Sequence, residues 1–434
     1  MSMVEPTWRS TKRAQTLIHM RHEGGIIVPA KVKATCCIAG GGPAGLMLGL
    51  LLARAGVDVV VLEKHADFLR DFRGDTIHPS TMQIMDELGL LDDFLKLPHQ
   101  PVPQITLQFG TERLRVADFS RLPVRAPFIA MMPQWDFLNF IAGHAQAYPG
   151  FRLLMRTQAT GIIRDGSRIC GATAKAPDGE IEIHARLTIA ADGRDSTLRG
   201  AAALLPEDLG APIDVLWFRL SRHHKDTDQT QARFDAGHIF IMLNRGYYWQ
   251  CAFVIPKGAN ERVRQAGLSA FRDSLRPLLP VDAARADEIQ DWEQVKLLVV
   301  QVNRLKQWWK PGFLCIGDAA HAMSPVGGVG VNLAVQDAVA AANILVEPMR
   351  TSKLIDAHLA AVQSRRDWPT RATQRLQLLI QNRVVAAALV ETDRLKPPLA
   401  IRLIAAIPGL RQLPARLIGL GVRPEHVSPP LQTT

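Results

Sequence analysis

Residues 33–64 read KATCCIAGGGPAGLMLGLLLARAGVDVVVLEK, and this stretch decides the fold of the chain. A short apolar run at residues 34–39 leads into a glycine-rich turn, and a helical apolar pattern then continues to Gly56. Glycine is common just past a helix C-terminus, because it adopts the left-handed conformation without strain. A second apolar run at residues 57–62 closes the unit, so the stretch predicts strand, turn, helix and strand.

The turn carries the spacing G-x-G-x-x-G at Gly40, Gly42 and Gly45. The first glycine lets the backbone turn sharply, the second lets a pyrophosphate approach the backbone, and the third lets the helix pack close to the sheet. Pro43 and Ala44 open the helix, where proline needs no N–H group and the remaining free N–H groups attract phosphate. These five residues are predicted to hold the pyrophosphate of a dinucleotide.

Glu63 ends the second apolar run, about 20 residues after the first glycine, where a carboxylate accepts the hydroxyls of an adenosine ribose. The same carboxylate would repel a 2′-phosphate on the bound nucleotide. This stretch therefore predicts FAD or NAD and does not choose between them.

The composition is that of an ordinary globular protein, with 434 residues, 47% hydrophobic and 21% charged. The formal net charge is +10, but lysine and arginine are scattered, so no nucleic-acid partner is expected. A mildly basic surface attracts a nicotinamide nucleotide, an acidic substrate or an anionic membrane. A solvated basic surface without a partner is the simpler alternative.

The five cysteines lack metal-ligand spacing and are expected to be small buried residues in a reducing compartment, with no metal site. They are Cys36, Cys37, Cys170, Cys251 and Cys315. The N-terminal residues lack the apolar core of a signal peptide, and no run reaches the length of a membrane span. The protein is therefore expected to be cytoplasmic.

Two further glycine–acid stretches choose the cofactor. The first, IAADGRDS at residues 189–196, is an apolar strand ending in Asp-Gly, and the second is GDAAHAMSPVGGVGVN at residues 317–332. With all three motifs in this order, residues 33–350 resemble the single-component FAD-dependent aromatic hydroxylases, also called group A flavoprotein monooxygenases. This family includes p-hydroxybenzoate hydroxylase and the ubiquinone-pathway hydroxylases.

The resemblance implies that FAD is the cofactor and gives roles to matching positions. Asp318 would bond a ribityl hydroxyl, while Pro325 and Gly328 would border the isoalloxazine ring. Backbone groups at a helix N-terminus would face the flavin N1–C2=O edge, where reduced flavin carries negative charge. These groups belong to Gly330, Val331 and Asn332.

Other positions match the family outside the third motif. Asp192 and Gly193 would lie near the pyrophosphate, and Lys64 beside the adenosine. Arg73 matches an arginine that contacts FAD, and Gln134 matches a residue at the start of a helix that touches the flavin.

The resemblance also implies the fold class and the domains. The fold is α/β, with a Rossmann-like FAD-binding domain interleaved with a β-sheet substrate domain, plus C-terminal helices. The expected segments are a poorly ordered N-terminal extension (1–32), the FAD-binding domain (33–105, 136–205 and 303–351), the substrate domain (106–135 and 206–302) and the C-terminal helical region (352–434).

Hydropathy patterns predict several elements in these segments. Residues 105–115 alternate like one strand, residues 260–279 resemble a helix, and residues 295–302 resemble a strand. Helices are also expected at 134–147 and from Gly330 onward.

In this family NAD(P)H reduces FAD, O2 adds to the flavin, and the flavin C4a-hydroperoxide hydroxylates an electron-rich ring. The resemblance therefore implies a monooxygenase that uses NADPH or NADH as a transient donor and acts on an aromatic or apolar small molecule. A second dinucleotide-binding unit is not expected.

The densest aromatic cluster, Tyr247, Tyr248 and Trp249, is the predicted substrate platform, since aromatic side chains stack on planar ligands. Ordinary sheet packing is the alternative for each of them. Catalytic side chains stay unassigned, with His78 and Arg73 as candidates.

Two other flavoprotein functions compete with hydroxylation. Flavin-dependent halogenases carry a Trp-x-Trp-x-Ile-Pro signature, but here Cys251 and Phe253 occupy the tryptophan positions before Ile255 and Pro256. An FAD-dependent reductase of isoprenoid or other unsaturated chains shares the early motifs and is the principal alternative.

The C-terminal segments LAIRLI at 399–404 and RLIGL at 416–420 mix apolar residues with arginine. Both a membrane-surface helix and a helix packed on its own domain have this pattern. Packing is favoured, so membrane association is not expected.

Overall fold

The computed structural model describes residues 29–69, 76–227, 230–235, 237–385, 388–389 and 396–432, and the backbone of 22–23 and 26–27. Arg73, predicted to contact the cofactor, lies outside these described residues, as does most of the N-terminal extension. The first long strand begins at Ala30, a few residues before the predicted start at Lys33.

The strands in chain order are β1 His22–Glu23, β2 Ile26–Ile27, β3 Ala30–Ala39, β4 Val59–Leu62, β5 Thr76–Ile77, β6 Gln100–Val102, β7 Gln104–Phe109, β8 Glu112–Asp118, β9 Ile129–Met131, β10 Phe151–Leu154, β11 Gln158–Asp165, β12 Arg168–Ala176, β13 Gly179–Ala190, β14 Pro206–Asp208, β15 Ile213–Ser221, β16 Gln231–Asp235, β17 His238–Asn244, β18 Tyr248–Pro256, β19 Lys296–Leu298, β20 Asn303–Leu305, β21 Trp309–Lys310, β22 Phe313–Cys315 and β23 His321–Ala322.

The α-helices are α1 Pro43–Arg54, α2 Pro79–Glu87, α3 Leu91–Phe94, α4 Gln134–Ala145, α5 Thr197–Ala201, α6 Asn260–Gln265, α7 Leu268–Leu275, α8 Gly330–Arg350, α9 Asp356–Ile380, α10 Leu399–Ala406, α11 Gln412–Gly419 and α12 Pro429–Gln432. Short 3-10 turns span Arg276–Leu278, Ala283–Glu288, Trp292–Gln294, Gly317–Ala319, Val326–Gly328 and Pro408–Arg411, and a π-turn spans Gln381–Val385.

The first sheet brings the carboxyl ends of its parallel strands to one edge. Its order is β10-β4-β3-β13-β12-β11, with β22 paired to β13. Parallel pairing places Ala39 beside Leu62 and Ala190, and Ala190 beside Cys315. All three glycine–acid motifs therefore begin at this edge, where open α/β sheets bind their ligands.

A continuous apolar core packs α1 against this sheet. The strand β4 is buried along its whole length, and α1 is buried almost all round. Such strands read as uninterrupted apolar runs rather than alternating ones. Cys36 and Cys37 lie inside this core as free thiols, and burial raises the pKa of Cys37 to about 12. The prediction that both are small buried residues is confirmed.

The second sheet, in the order β19-β15-β18-β17-β16-β7-β8, has two differently packed faces. One face, which we call the rear face, packs Phe218 and Phe253 against Phe271 of α7. The opposite side, the front face, carries Val215 and Val254 among other apolar residues. Since side chains alternate along a strand, this division decides which residues can approach the first sheet.

Three predicted elements differ in detail from the structure. The single strand expected at 105–115 is the hairpin β7–β8, because Gly110 adopts φ 55° and turns the chain. The helix expected at 260–279 is divided into α6 and α7, since Gly267 adopts φ 89° between them. The strand expected at 295–302 is shorter and covers only β19. The predicted helices at 134–147 and from Gly330 are confirmed as α4 and α8.

Within the described residues, one helical stretch, Val326–Arg350, is long and apolar enough to cross a membrane by length and composition alone. However, 78% of its apolar window is buried inside the protein. Its helix α8 packs against both α1 and α9, so it is a buried core helix.

Candidate active site

The three glycines of the first motif have different surroundings. A Cβ on Gly45 would lie 1.9 Å from the Gly40 carbonyl oxygen, and one on Gly40, at φ 109°, would lie 2.2 Å from the Ala191 carbonyl oxygen. A Cβ on Gly42 would meet nothing within 4 Å. Two glycines are therefore required by packing, whereas Gly42 borders open space at the N-terminus of α1.

Pro43 and Ala44 form the first turn of α1, and no side chain caps this helix. Its first N–H groups are therefore available to a ligand, together with the positive end of the helix dipole. An anionic group such as a pyrophosphate fits this position.

The carboxylate of Glu63 is held beside the glycine turn. Its Oε2 accepts a hydrogen bond from the Gly41 N–H at 3.1 Å, and its Oε1 accepts one from the His65 N–H at 2.9 Å. Glu63 is nearly buried, while Lys64 is exposed. The structure thus fixes the carboxylate next to the turn, as a ribose contact requires.

Asp192 and Gly193 follow β13 at the same edge. A Cβ on Gly193 would meet nothing within 4 Å, so this residue also borders open space. The Asp192 carboxylate accepts hydrogen bonds from the Ser196 hydroxyl and from the Leu198 N–H at 3.2 Å, which caps α5. Its contacts within the chain are therefore those of a cap that shapes the loop.

Arg199 is a site residue that the sequence analysis missed. It is almost buried and donates to the Ala319 carbonyl at 3.1 Å and to the Arg194 carbonyl at 2.7 Å. It therefore ties the Asp192 loop to the turn that carries Asp318. The spacing D-G-x-x-S-x-x-R, from Asp192 to Arg199, was the signal available in the sequence.

The turn Gly317–Ala319 joins the first motif to the third. A Cβ on Gly317 would lie 3.1 Å from the Ala44 Cβ of α1 and 3.4 Å from the Ala334 Cβ of α8. Asp318 is half-exposed between buried neighbours, and its Oδ2 lies 3.6 Å from Arg194 Nη2. The turn therefore lies between the N-terminal halves of α1 and α8 and presents one carboxylate.

The loop before α8 is held by Thr76 of β5. Gly327 and Gly328 adopt φ 80° and 64°, and Thr76 Oγ1 donates to the Gly328 carbonyl at 2.8 Å. A Cβ on Gly328 would lie 2.4 Å from Thr76 Oγ1, so only glycine fits there. Gly330 borders open space, and no side chain caps α8.

Asn332 has a side-chain role that the sequence analysis did not predict. Its Oδ1 accepts hydrogen bonds from the His78 N–H at 2.9 Å and from Thr81 Oγ1 at 2.7 Å. Its Nδ2 donates to the Thr76 and Gly328 carbonyls, both at 3.4 Å. The buried amide therefore clamps α2 and β5 to the start of α8, next to Pro325 and Val331 of the third motif.

A buried ionic network lies behind the third motif and was also missed. Asp337 of α8 accepts hydrogen bonds from the Gly317 N–H at 3.0 Å, His321 Nε2 at 2.6 Å and Arg366 Nε at 2.9 Å. Burial alone raises the pKa of Asp337, but His321 and Arg366 together hold that pKa below its ordinary value. Arg366 continues to Glu425 at 3.2 Å, so the C-terminal segment braces the Asp318 turn.

His78, the catalytic candidate, directly follows β5, and Gln134, the predicted flavin contact, follows β9, which pairs with β5. His78 Nδ1 donates to the Ile418 carbonyl at 2.7 Å, and burial lowers the pKa of His78 to about 4, so the ring is neutral. Its Nε2 is buried without a hydrogen-bond partner among the described residues. Gln134 is half-buried at the start of α4, three residues after Met131, which pairs with Thr76.

The predicted substrate platform is only partly brought together: the Tyr247 and Tyr248 rings lie 5.1 Å apart, whereas Trp249 is on the other side of its strand. Tyr247 is 81% exposed at the β17–β18 turn, and Trp249 is fully buried on the rear face, where its Nε1 donates to Asp226 at 3.0 Å. Tyr248 lies on the opposite, front side of β18, with the Arg219 guanidinium 4.8 Å from its ring centroid. A substrate role for these residues stays a prediction, and their placement favours only Tyr248.

The residues present fit the FAD that the resemblance implies. The open positions at Gly42, Gly193 and Gly330 surround one edge of the first sheet, and two uncapped helix N-termini meet beside Gly317. Two carboxylates, Glu63 and Asp318, provide acceptors for sugar hydroxyls. This donor and acceptor set matches a dinucleotide with a long polyhydroxyl chain.

Comparisons with known proteins agree with this geometry. The sequence profile of a family described as FAD binding domain matches residues 33–376. The chain is 29% identical over 385 residues to 6-methylpretetramide 4-monooxygenase of Streptomyces rimosus, covering 88% of this chain and 91% of the relative. It is 24% identical over 334 residues to para-nitrophenol 4-monooxygenase of Pseudomonas sp. (strain WBC-3), covering 74% and 80%.

The fold is also that of solved flavoproteins with other reactions. The myxobacterial chondrochloren halogenase superposes with a TM-score of 0.70 at 16% identity, over 92% of this chain and all of that one (100%). This likeness concerns the fold alone.

Proposed function

The chain belongs to the FAD-binding-domain family, and we propose that it hydroxylates a planar, electron-rich aromatic compound. It is an FAD-dependent monooxygenase, for which NAD(P)H is the typical electron donor. One observation carries the proposal: all three motifs converge at one sheet edge, where two uncapped helix N-termini border open space.

The bound cofactor supplies the redox chemistry with NAD(P)H and O2. The residues of the chain bind the cofactor and place polar and charged groups around it. We propose that the N–H groups around Gly330 face the flavin edge where negative charge develops, as preorganised donors do in other active sites. Thr76 and Asn332 hold that helix start fixed, so little reorganisation accompanies the reaction.

We propose that the substrate lies between the α8 loop and the front face of the second sheet. Leu243 of this face packs in one apolar cluster with Met131, and Met131 pairs with Thr76, which bonds Gly328. The front face therefore meets the loop through a short chain of contacts. Cys251 and Phe253, at the halogenase tryptophan positions, pack on the rear face instead.

The class of substrate is proposed from the relatives. One relative is a 6-methylpretetramide 4-monooxygenase and another is a para-nitrophenol 4-monooxygenase. We propose a phenol or a polycyclic phenol, held by apolar contacts of the front face and by Tyr248. His78 Nε2, an acceptor on a neutral ring, is a proposed positioning group for a substrate hydroxyl or a nearby water.

We further propose that the enzyme works in the cytoplasm, since its cysteines are free and its electron donor is a cytoplasmic nucleotide. The interleaved domain limits given above also remain proposals, as does the absence of a separate nicotinamide site.

The decisive experiment screens aromatic compounds for faster NAD(P)H oxidation by the purified holoenzyme under labelled dioxygen. A product heavier by one labelled oxygen atom is expected. Reduction of a substrate double bond without O2 uptake would instead identify the reductase alternative. A halogenated product in the presence of chloride or bromide would equally overturn the hydroxylase proposal.

A further inference from the structure

Large apolar side chains cover the solvent side of α10, α11 and the turn between them. Leu399, Leu403, Ile407, Leu413 and Leu417 are between 41 and 72% exposed. We call these five residues the C-terminal apolar surface. The other exposed large apolar side chains of the described residues are scattered from Leu69 to Leu379. A surface helix normally turns a polar face outward, so this pattern needs an explanation.

Both helices already pack their inner faces against the core. Ala405 and Ala415 are buried, and Ile401 packs against the front-face cluster. A Cβ on Gly419 would lie 2.9 Å from Leu122 Cδ1 and 3.1 Å from Phe119 Cδ1. α11 therefore lies close to the core on one side. Leu417 also borders a cavity beside Val329 and Asn332, and the remaining outward apolar surface faces solvent in the described structure.

The two helices are fixed relative to each other. Arg411, at the start of α11, donates from Nε to the Ala405 carbonyl at 3.1 Å and from Nη2 to the same oxygen. This carbonyl belongs to the last turn of α10. The exposed leucines therefore sit on a braced pair of helices.

The segment that carries this surface has charges of one sign. Residues 396–424 contain no aspartate or glutamate. Their basic residues are Lys396, Arg402, Arg411, Arg416 and Arg423. Glu112 of β8 lies at the rim, with its Oε1 3.9 Å from Arg402 Nε. Leucine beside exposed arginine is the composition of segments that bind anionic lipid surfaces.

We infer that the C-terminal apolar surface docks the enzyme on an anionic phospholipid bilayer. The leucines enter the acyl boundary and the arginines meet the lipid phosphates. A second copy of the chain is a poor occupant, because a symmetric contact would bring two basic, acid-free segments together. The charge therefore favours lipid over self-association.

Docking would place lipid close to the candidate active site. The Ile418 carbonyl of α11 accepts a hydrogen bond from His78, and the His78 N–H bonds Asn332 at the start of α8. An apolar aromatic substrate that partitions into the bilayer is therefore delivered near the site. The docking inference itself rests on the surface and does not depend on the proposed reaction.

The test measures sedimentation of the full-length holoenzyme with vesicles that contain phosphatidylglycerol and with vesicles of phosphatidylcholine alone. Binding to the anionic vesicles, weakened by salt, is expected. The double variant Leu403→Asp, Leu413→Asp should lose binding about tenfold or more. Each of Arg402→Gln and Arg416→Gln should weaken it about fivefold. The control is Leu205→Asp, a leucine elsewhere that is 84% exposed, more than any residue of the C-terminal apolar surface, and this variant should bind as the wild type does.

Bound flavin and the unfolding midpoint show whether each variant is folded. If the aspartate variant does not fold, the two arginine variants and the salt dependence still decide. Equal binding to both kinds of vesicle, no binding to either, or unchanged binding by the variants would overturn the inference. A wild-type dimer in sedimentation equilibrium that Leu413→Asp dissociates would overturn it in favour of a second copy.

Discussion

The two helices that border the cofactor site, α1 and α8, begin alike and are held differently. Each follows a glycine-rich turn, and neither has a side-chain cap. Around α1 the close contacts come from the backbone of adjacent strand ends, such as the Ala191 carbonyl beside Gly40. Around α8 they join side chains to segments distant in sequence: Thr76 bonds Gly328, Asn332 bonds His78, and Arg366 bonds Asp337. A site formed by backbone groups can be recognised from the spacing of a few residues in the sequence. A site held by side chains from distant segments cannot.

The largest effect is expected at Gly45 of α1. Gly45→Val would force a side chain into the Gly40 carbonyl, which lies 1.9 Å from an ideal Cβ. Relief requires moving backbone, and we expect a loss of most of the roughly 5–15 kcal/mol by which native proteins are stable. Expression and urea unfolding measure this. A stable, yellow variant would contradict the packing role of Gly45.

The next effect concerns the network behind α8. Asp337→Asn removes the charge of one of the two buried carboxylates that pair with Arg366, the other being Glu425, and breaking such a buried pair costs about 3–5 kcal/mol. The folded pKa of Asp337 is depressed, so its stabilisation is present above the ordinary pKa and is lost as pH falls through the folded value. Urea unfolding should show a wild-type advantage at neutral pH that shrinks below pH ~4.

The matched control for the network is Asp356→Asn. This half-exposed carboxylate lies 3.8 Å from Arg168, and exposed pairs contribute about 0–1 kcal/mol. Equal losses from the two substitutions would show that the buried network does not brace α8.

Gly42→Val tests the open side of the α1 turn. Its Cβ meets no atom within 4 Å, so we expect a folded protein in which the side chain occupies the pyrophosphate space. FAD affinity should fall about 100-fold, or ~2.7 kcal/mol, as measured by flavin fluorescence titration. Gly143→Val in α4, where a Cβ also meets nothing, is the control and should keep its flavin. Full flavin occupancy in Gly42→Val would show that the pyrophosphate does not bind at the N-terminus of α1.

Asp318 tests the turn between the two helices. Asp318→Ala should weaken FAD by about 1.5–3 kcal/mol, because a charged acceptor is lost from a half-exposed position. Asp318→Asn keeps an acceptor of the same size and should lose less. Unchanged affinity in the alanine variant would show that this carboxylate does not contact the cofactor.

The smallest effect is expected at the clamp of the α8 loop. Thr76→Val removes the hydroxyl that bonds the Gly328 carbonyl, at a cost of about 1 kcal/mol, and should alter the flavin absorption band more than FAD affinity. Thr351→Val removes an exposed hydrogen bond of the same 2.8 Å length at the far end of α8 and serves as control. If Thr76→Val keeps the same flavin spectrum as Thr351→Val, the hydrogen bond from Thr76 to Gly328 does not influence the flavin edge.

The sequence predicted the parts of the site that depend on local backbone. Gly40 and Glu63 were predicted from the spacing of the first motif, whereas Asp192, Asp318 and the fold class were implied by the family resemblance of the three motifs. The structure places these four residues at one edge, because parallel strands align their carboxyl ends. Their cofactor contacts remain predictions.

Other features depend on contacts between distant segments, and no local pattern marks them. The rear-face burial of Trp249 and the outward leucines of α10 and α11 are of this kind. Alternation along β18 alone does not say which face is buried, since both faces of that strand are apolar.

The sequence by itself determined that this chain forms a glycine-turned dinucleotide site, because backbone approach and helix dipoles need only the right residues at short spacing. Only the tertiary structure decided that Asn332, Asp337 and Arg366 hold the second half of that site, and which side of the substrate sheet faces it. A side chain's partner depends on which distant segments the packed core brings beside it, and this is not encoded in any single stretch.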